Sequence, residues 1–263
     1  MIIRQIYTDN DYRNFNYLVA CPETGEALAV DPLAAELCLA VAADEGWRIT
    51  QVVNTHDHPD HIGGNGKVIA ATGAKLLAHA GATDTIPNVD QGLSAGDTIT
   101  IGTTGMLQVL DTPGHTMSHV CLYLDGAEPA LISGDTLFNA GAGNCHNGGH
   151  PAELYETFAS QLAQLPDSTR IYPGHDYLVN NLEFTLNREP NNHKAANLLA
   201  KVVDQDPHDA LITTLEIEKE INPFFRLANP EIVSQLTSEF SELPAQPSEK
   251  AVFLKLRELR NSW

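Results

Sequence analysis

The stretch Thr55-His56-Asp57-His58-Pro59-Asp60-His61 carries four side chains of metal-ligand type, His56, His58, Asp60 and His61, within six residues. They follow directly on the apolar run Ile49-Thr50-Gln51-Val52-Val53. Imidazole nitrogens and carboxylate oxygens are donors that first-row divalent metals take. A strand ending here sends His56 and His58 to one side, because alternate residues share a face. The chain then turns at Pro59, and a helix beginning near Asp60 brings Asp60 and His61 back over the same point. Four ligands from one loop rarely close a single tetrahedral site unaided, so the spacing suits two adjacent ions.

Three later segments each present one more ligand from a glycine turn at the end of an apolar strand: Pro113-Gly114-His115, Ser133-Gly134-Asp135 and Pro173-Gly174-His175. Any one alone is an ordinary turn. With residues 55–61 they give five His and two Asp, enough for two sites of three protein ligands each and a bridging carboxylate. His79 is expected to be structural, since nothing near it has ligand spacing. His119 is expected to hydrogen-bond behind the ligands rather than to bind metal, and Asp57 and Asp176 to do the same or to be solvated.

The elements that must position these groups are legible in outline. Strands are expected at Ile2 to Tyr7, Asn14 to Cys21, Ala27 to Val30, 49–54 and Lys75 to Ala78. Paired strands follow at 97–111, broken at Gly102 and Gly105, then Val120 to Leu124, Ala130 to Ile132 and Arg170 to Tyr172. Helices are expected from Pro32 to Trp47, from about Asp60 to a stop at Gly73, and from about Ala152 to Leu165. Strands, helices between them, then strands again imply two sheets packed face to face with helices outside. After Tyr177 the pattern is helical throughout: Leu178 to Arg188, Lys194 to Val203, Thr214 to Glu220, Glu231 to Leu236 and Ser248 to Arg260, separated by prolines. The expected division is therefore 1–177 for a layered domain that carries the ligand-type residues and 178–263 for a helical domain, the catalytic and substrate-binding domains in the resemblance described below.

Composition narrows the function class. Lys plus Arg number 15 against 34 Asp plus Glu, a formal net charge of −19. Phosphate backbones are repelled by such a chain, so no nucleic-acid partner is expected. The plain reading of the charge is a solvated acidic surface, offset in part by bound cations. No run of 18 apolar residues spans a bilayer, and the first residues lack the apolar core and cleavage site of a signal peptide. Cys21, Cys38, Cys121 and Cys145 show no C-x-x-C spacing, as expected of reduced thiols in a cytoplasmic protein. A monomer or small homo-oligomer is expected.

The His-x-His-x-Asp-His stretch with its later His, Asp and His resembles the metallo-β-lactamase superfamily, and within it the glyoxalase II (hydroxyacylglutathione hydrolase) group. Thr55 to His61, Thr112 to His115, Gly134 to Phe138, Gly174 to Tyr177, Asn180-Asn181-Leu182 and Asn222-Pro223-Phe224 carry the resemblance. It implies an αββα four-layer sandwich, an α/β fold, with a C-terminal helical domain. It also implies that His56, His58 and His115 hold one metal, that Asp60, His61 and His175 hold the other, and that Asp135 bridges them. The cofactor implied is two divalent metal ions, zinc being the expected metal and iron or manganese the alternatives. The implied reaction is hydrolysis of an S-(2-hydroxyacyl)glutathione such as S-lactoylglutathione, or a related acyl thioester, by hydroxide shared between the metals. Asp60, besides ligating, is the expected catalytic residue that orients this nucleophile, and no Ser, Cys or Thr nucleophile is then needed.

In that group a Lys and a Tyr after the Gly-Asp-Thr-Leu-Phe segment, a Tyr after the last His and a basic pair on the final helix bind the glutathione part. Here Tyr177 is in place and Arg257 and Arg260 match the basic pair. Asn144 stands where the Lys belongs and His146 where the Tyr belongs. A charged hydrogen bond is worth roughly 1.5–3 kcal/mol, so the loss of the Lys costs about tenfold or more in binding unless other contacts replace it. Cys145 is expected to be a small residue of this loop.

The competing reading is an iron-dependent persulfide dioxygenase of the same superfamily. Such enzymes use one iron on residues matching His56, His115 and Asp135 and lack the long helical C-terminus, so the region after 177 favours the hydrolase. A lactamase leaves that region without a purpose. A non-catalytic binding module is opposed by the complete set of ligands.

Overall fold

The pleat of the strands decides how the layers stack. In the computed structural model, which describes residues 1–263, the first sheet contains β1 (Ile2–Tyr7), β2 (Phe15–Ala20), β3 (Glu26–Val30), β4 (Arg48–Val53), β5 (Lys75–His79) and β6 (Gln91–Leu93), in that order. β2 is buried along its whole length. Phe15, Tyr17 and Val19 enter one core while Leu18 and Ala20 enter another, as side chains alternating across a strand must.

The second sheet contains β7 (Thr98–Ile101), β8 (Gly105–Asp111), β9 (Val120–Leu124) and β10 (Ala130–Gly134). After a small hairpin of β11 (Leu137–Phe138) and β12 (Gly141–Ala142), β13 (Arg170–Pro173) joins its far edge beside β10. Between the sheets lies a core that includes Val19, Leu28 and Val30 from one side and Ile99, Val109, Leu122 and Ile132 from the other. Outside the first sheet, α1 (Ala35–Asp44) contributes Cys38 and Ala42 to a second core, α2 (Pro59–Ile62) adds Ile62, and α3 (Asn65–Thr72) adds Val68. Outside the second sheet, Leu154 and Phe158 of α4 (Pro151–Ser160) pack on Leu131 and Ile171. The order is helix, sheet, sheet, helix, the expected αββα sandwich.

Two local expectations change. The single helix from Asp60 is two, broken at Gly63-Gly64, where a Cβ on Gly64 would lie 1.9 Å from the Pro32 carbonyl oxygen. The backbone there packs against the segment after β3 too closely for a side chain, which requires glycine at 64. Strands β6, β11 and β12, of three, two and two residues, are too short for any alternation to show in the sequence.

After residue 177 come α5 (Leu178–Arg188), α6 (His193–Val202), α7 (Leu215–Ile221), α8 (Pro230–Glu239) and α9 (Glu249–Arg260), as the proline-punctuated pattern implied. Asn192, Thr214, Asn229 and Ser248 cap α6 to α9, each accepting a first-turn backbone N–H. Val252, Phe253 and Leu256 of α9 enter the same core as Leu131 and Ile171 of the second sheet. The helical region is thus packed onto the sheet rather than tethered to it. No helix is long and apolar enough to cross a membrane.

The feature that positions the site is strand direction. β3 pairs with β4, and β10 with β13, in parallel. Parallel strands end at the same edge of their sheet, where ligands of α/β proteins gather.

Candidate metal centre and adjoining cavity

At that edge the seven expected ligands converge. Asn54 to His58 continue from β4, Asp135 from β10 and His175 from β13, while His115 comes from the loop between β8 and β9. β4 stops at Val53, so a loop, rather than strand alternation, sets His56 beside His58. His58 is the N-cap of α2 and Pro59 its first residue, a position for which the fixed φ of proline is suited. That places Asp60 and His61 in the first turn, facing back toward the loop.

His56, His58 and His115 form one trio of donor atoms, and Asp60, His61 and His175 another, each with its atoms within 4.8 Å of one another. The inner nitrogens of His58 and His115 are 3.0 Å apart, and those of His61 and His175 3.3 Å. Asp135 lies between the trios: Oδ1 is 3.4 Å from His61 Nε2, and Oδ2 is 3.2 Å from His175 Nε2 and 3.5 Å from His115 Nε2. Oδ1 is buried without a hydrogen-bond donor.

The donor set fits a pair of cations. Each ring has its other nitrogen beside a protein oxygen: His56 Nδ1 at Thr55 Oγ1 (3.0 Å), His58 Nε2 at the Asn147 carbonyl (3.1 Å), His61 Nδ1 at Asp31 Oδ2 (3.0 Å), His115 Nδ1 at the Asn144 carbonyl (2.6 Å) and His175 Nδ1 at the Tyr12 carbonyl (2.7 Å). Ring protons on those outer nitrogens leave every inner lone pair aimed into the cluster, and such outer contacts are what fix a ligating imidazole. Lone pairs turned on one another at this range repel unless a cation lies between them. Burial favours the neutral imidazole at His56 and draws His115 down to about 4. Burial opposes the charge on Asp135, but the neighbouring His175 and His61 hold its carboxyl well below the usual range. The centre is thus a divalent-metal site of mixed imidazole and carboxylate donors.

Glycine is required where the backbone comes closest. A Cβ on Gly174 would lie 2.1 Å from Asp135 Oδ1, and Gly134, at φ +47°, would place one 2.7 Å from Thr55 Oγ1.

Asn144, His146, Tyr177, Arg257 and Arg260 line a single cavity of about 310 Å³, with Phe138, Asn180 and Trp263 among the other walls. Tyr177 stacks on His175, ring centroids 5.0 Å apart, and donates to the Tyr12 carbonyl at 3.1 Å. A second opening of about 590 Å³, lined by Asn10, Tyr12, Leu33, His58, Asp60 and Asn147, adjoins the centre at His58 and Asp60.

Residues 20–175 match the metallo-beta-lactamase superfamily, and residues 176–263 match the hydroxyacylglutathione hydrolase C-terminus. The chain is 62% identical to the hydroxyacylglutathione hydrolase of Nitrosococcus oceani over 263 residues, 100% of both chains. It belongs to the hydroxyacylglutathione hydrolase family. To a relative from Arabidopsis thaliana, named hydroxyacylglutathione hydrolase cytoplasmic, it is 38% identical over 85% of this chain and 88% of that one. The crystal structure of ETHE1 from Myxococcus xanthus is similar in fold, with a TM-score of 0.67 at 26% identity, covering 100% of this chain and 99% of that chain.

For this family member, the sequence reading missed the groups behind the ligands. Asp31, buried at the end of β3, accepts the Thr55 backbone N–H at 2.8 Å and stands behind His61. Asn14 Nδ2 donates to Asp60 Oδ2 at 3.1 Å. Asp31 sits at the end of an apolar strand, just as the ligands do, and that position was the available signal. His119 is not in either trio: its Nε2 accepts the Asp135 backbone N–H at 3.2 Å, and its Nδ1 lies 2.9 Å from Thr112 Oγ1. His79 accepts the Gly81 N–H at 2.9 Å, a local turn contact. Asp176 pairs with Arg13. Cys145 is half-buried against the outer core, and burial pushes its thiol up to about 11.

Proposed function

We propose that this chain is a metallohydrolase that cleaves S-(2-hydroxyacyl)glutathione thioesters, S-lactoylglutathione being the test case, with two divalent ions, zinc by preference, as its cofactor. The observation that carries the reading is the convergence of two three-donor trios on one carboxylate, Asp135. The full-length similarity to hydroxyacylglutathione hydrolases supports the substrate class. His56, His58 and His115 would hold one ion and Asp60, His61 and His175 the other. When bound, such a pair makes hydroxide available near neutral pH and stabilises negative charge on an attacked carbonyl oxygen.

The remaining work falls to the chain. Asp60, steadied by Asn14 and facing the larger opening, orients the attacking water. The thiol part of the substrate enters the 310 Å³ cavity, whose Tyr177 is kept in its protonated form by burial and by Asp135 and Asp60 nearby. A thiolate departs without strong acid assistance, which agrees with a site whose carboxylates are ligands. Residues 1–177 would form the catalytic unit and 178–263 the unit that closes the thiol cavity. A cytoplasmic location is supported by the Arabidopsis relative's name and by four free cysteines.

The test gives purified, metal-loaded protein S-lactoylglutathione and, separately, glutathione persulfide, following free thiol and dissolved oxygen. Thiol release without oxygen uptake is expected. Persulfide-dependent oxygen uptake would establish the dioxygenase instead.

A further inference from the structure

We propose that the connection between β1 and β2, residues 8–14, sets the geometry of the second ion's site, Asp60, His61 and His175, with Asn10 as its positioning residue. The proposal rests on the metal reading of the centre and is independent of the substrate.

The connection reaches two of the three donors of that trio. At its end, the amide of the buried Asn14 donates to the Asp60 main-chain oxygen at 3.2 Å and to Asp60 Oδ2 at 3.1 Å. Before it, the Tyr12 carbonyl accepts from His175 Nδ1 at 2.7 Å. The same carbonyl accepts the Tyr177 hydroxyl at 3.1 Å, so the connection also touches the wall of the thiol cavity. The ring of Tyr12 stands in solvent, and its main chain makes these contacts.

An amide can face Asp60 either way round. Nitrogen first, it donates to the carboxylate; oxygen first, it repels it. Asn10 decides between the two. Its Nδ2 donates to Asn14 Oδ1 at 2.7 Å, and its Oδ1 accepts the Asn14 backbone N–H at 3.1 Å. With its oxygen so engaged, Asn14 turns its two N–H groups toward Asp60.

The surroundings hold the connection in a shape that its residues seldom adopt. Asp9 and Arg13 lie at φ +53° and +59°, the left-handed region that few residues other than glycine enter. Such conformers persist only where the neighbours over-determine them. Thr8 donates to the Asn14 carbonyl through both its backbone N–H and its hydroxyl, at 3.1 and 3.0 Å. The Arg13 carbonyl accepts the Asp176 N–H at 3.0 Å, its Nε donates to the Asp176 carbonyl at 2.9 Å, and its guanidinium pairs with the Asp176 carboxylate. Asp176 follows His175 directly, so clamp and ligand move together. The Arg13 side chain is half exposed, and an ion pair there is weak by itself. Asn10 is therefore the stronger lever.

The test is a cobalt titration of the full, metal-stripped chain, following the visible absorption as each of two ions enters. It compares the native protein with Asn10→Asp, Asn10→Ala and Arg13→Gly. Aspartate keeps the acceptor for the Asn14 N–H but loses the donor, so the Asn14 amide turns its oxygen toward Asp60. Alanine leaves the amide free to go on donating. Groups that orient metal ligands affect affinity by about 10–100-fold. Asn10→Asp is expected to weaken one ion by about tenfold or more and to alter its absorption, while the ion on His56, His58 and His115 binds as before. Asn10→Ala is expected to be milder. A merely structural contact predicts the reverse order, aspartate being the closer mimic, and added negative charge alone would favour a cation. Arg13→Gly, at ease at φ +59°, is expected to weaken the same ion by about two- to fivefold, and it decides the matter if Asn10→Asp does not fold. The proposal is overturned if the folded variants bind both ions with native affinity and absorption, if Asn10→Ala weakens binding as much as Asn10→Asp, or if both ions weaken equally. A native chain that takes up no cobalt would sink the metal reading itself.

Discussion

Asp31 Oδ2 lies 3.0 Å from His61 Nδ1 and also accepts the Thr55 hydroxyl at 2.7 Å, which leaves the Thr55 oxygen to accept from His56 Nδ1 at 3.0 Å. One buried carboxylate therefore fixes a ring in each trio, His61 directly and His56 through Thr55. The arrangement follows from the parallel pairing of β3 with β4, which ends both strands at one edge.

Asp31→Ala should therefore weaken metal at both trios. Loss of such a partner typically costs 10–100-fold in metal affinity, and a chelator competition on the purified variant measures it. Affinity equal to the native protein's would show that Asp31 serves the fold alone.

Asp135→Ala should remove metal and activity together, because the carboxylate lies beside the inner nitrogens of both trios. Metal content by elemental analysis, beside a thiol-release assay, checks this. A variant that keeps both would mean that Asp135 does not bridge.

Metal uptake should depend on pH through His61. In the metal-free chain burial lowers this imidazole, but Asp135, Asp31 and Asp60 outweigh burial and bring it up to about 9. A metal must displace that proton, so apparent affinity rises by about tenfold per pH unit for one proton until pH 9. The raised value also stabilises the metal-free fold fully below the unfolded value of about 6.5, and that contribution fades as pH rises toward 9. Chelator competition and thermal melts of metal-free protein between pH 6.5 and 9 test both signs; affinity independent of pH would count against a protonated His61.

Phe253→Ala should cost about 3–5 kcal/mol, the usual loss for a buried aromatic. Its ring lies 5.1 Å from Phe224 and 5.4 Å from Phe158, joining the last helix to α4 and the second sheet. Because that core is shared, denaturant unfolding should remain one transition, shifted as a whole. A separate early transition for the helical region would show that the core is less continuous than its packing implies.

The sequence by itself determined the layers and marked seven candidate ligand positions that the fold brings together. Five of these seven follow a strand end or a glycine turn, and Asp60 and His61 follow Pro59 into the first turn of α2; that signal is local, since apolar alternation stops, a turn residue or proline follows, and a His or Asp is presented. The helices after 177 were equally plain, since prolines and cap residues mark their ends, and α5 spans Leu178–Arg188 as the pattern implied. Only the tertiary structure decided the rest. Asp31 and Asn14 carry no ligand spacing, and they reach His61 and Asp60 because strand pairing and loop packing bring them there. Arg257 looks like its neighbour Arg260 in sequence, yet the fold buries one against two carbonyls and leaves the other with free donors. The chemical type of a candidate ligand can be read at one position; what a side chain's hydrogen bonds are spent on depends on partners 30 to 115 residues away, and only packing selects them.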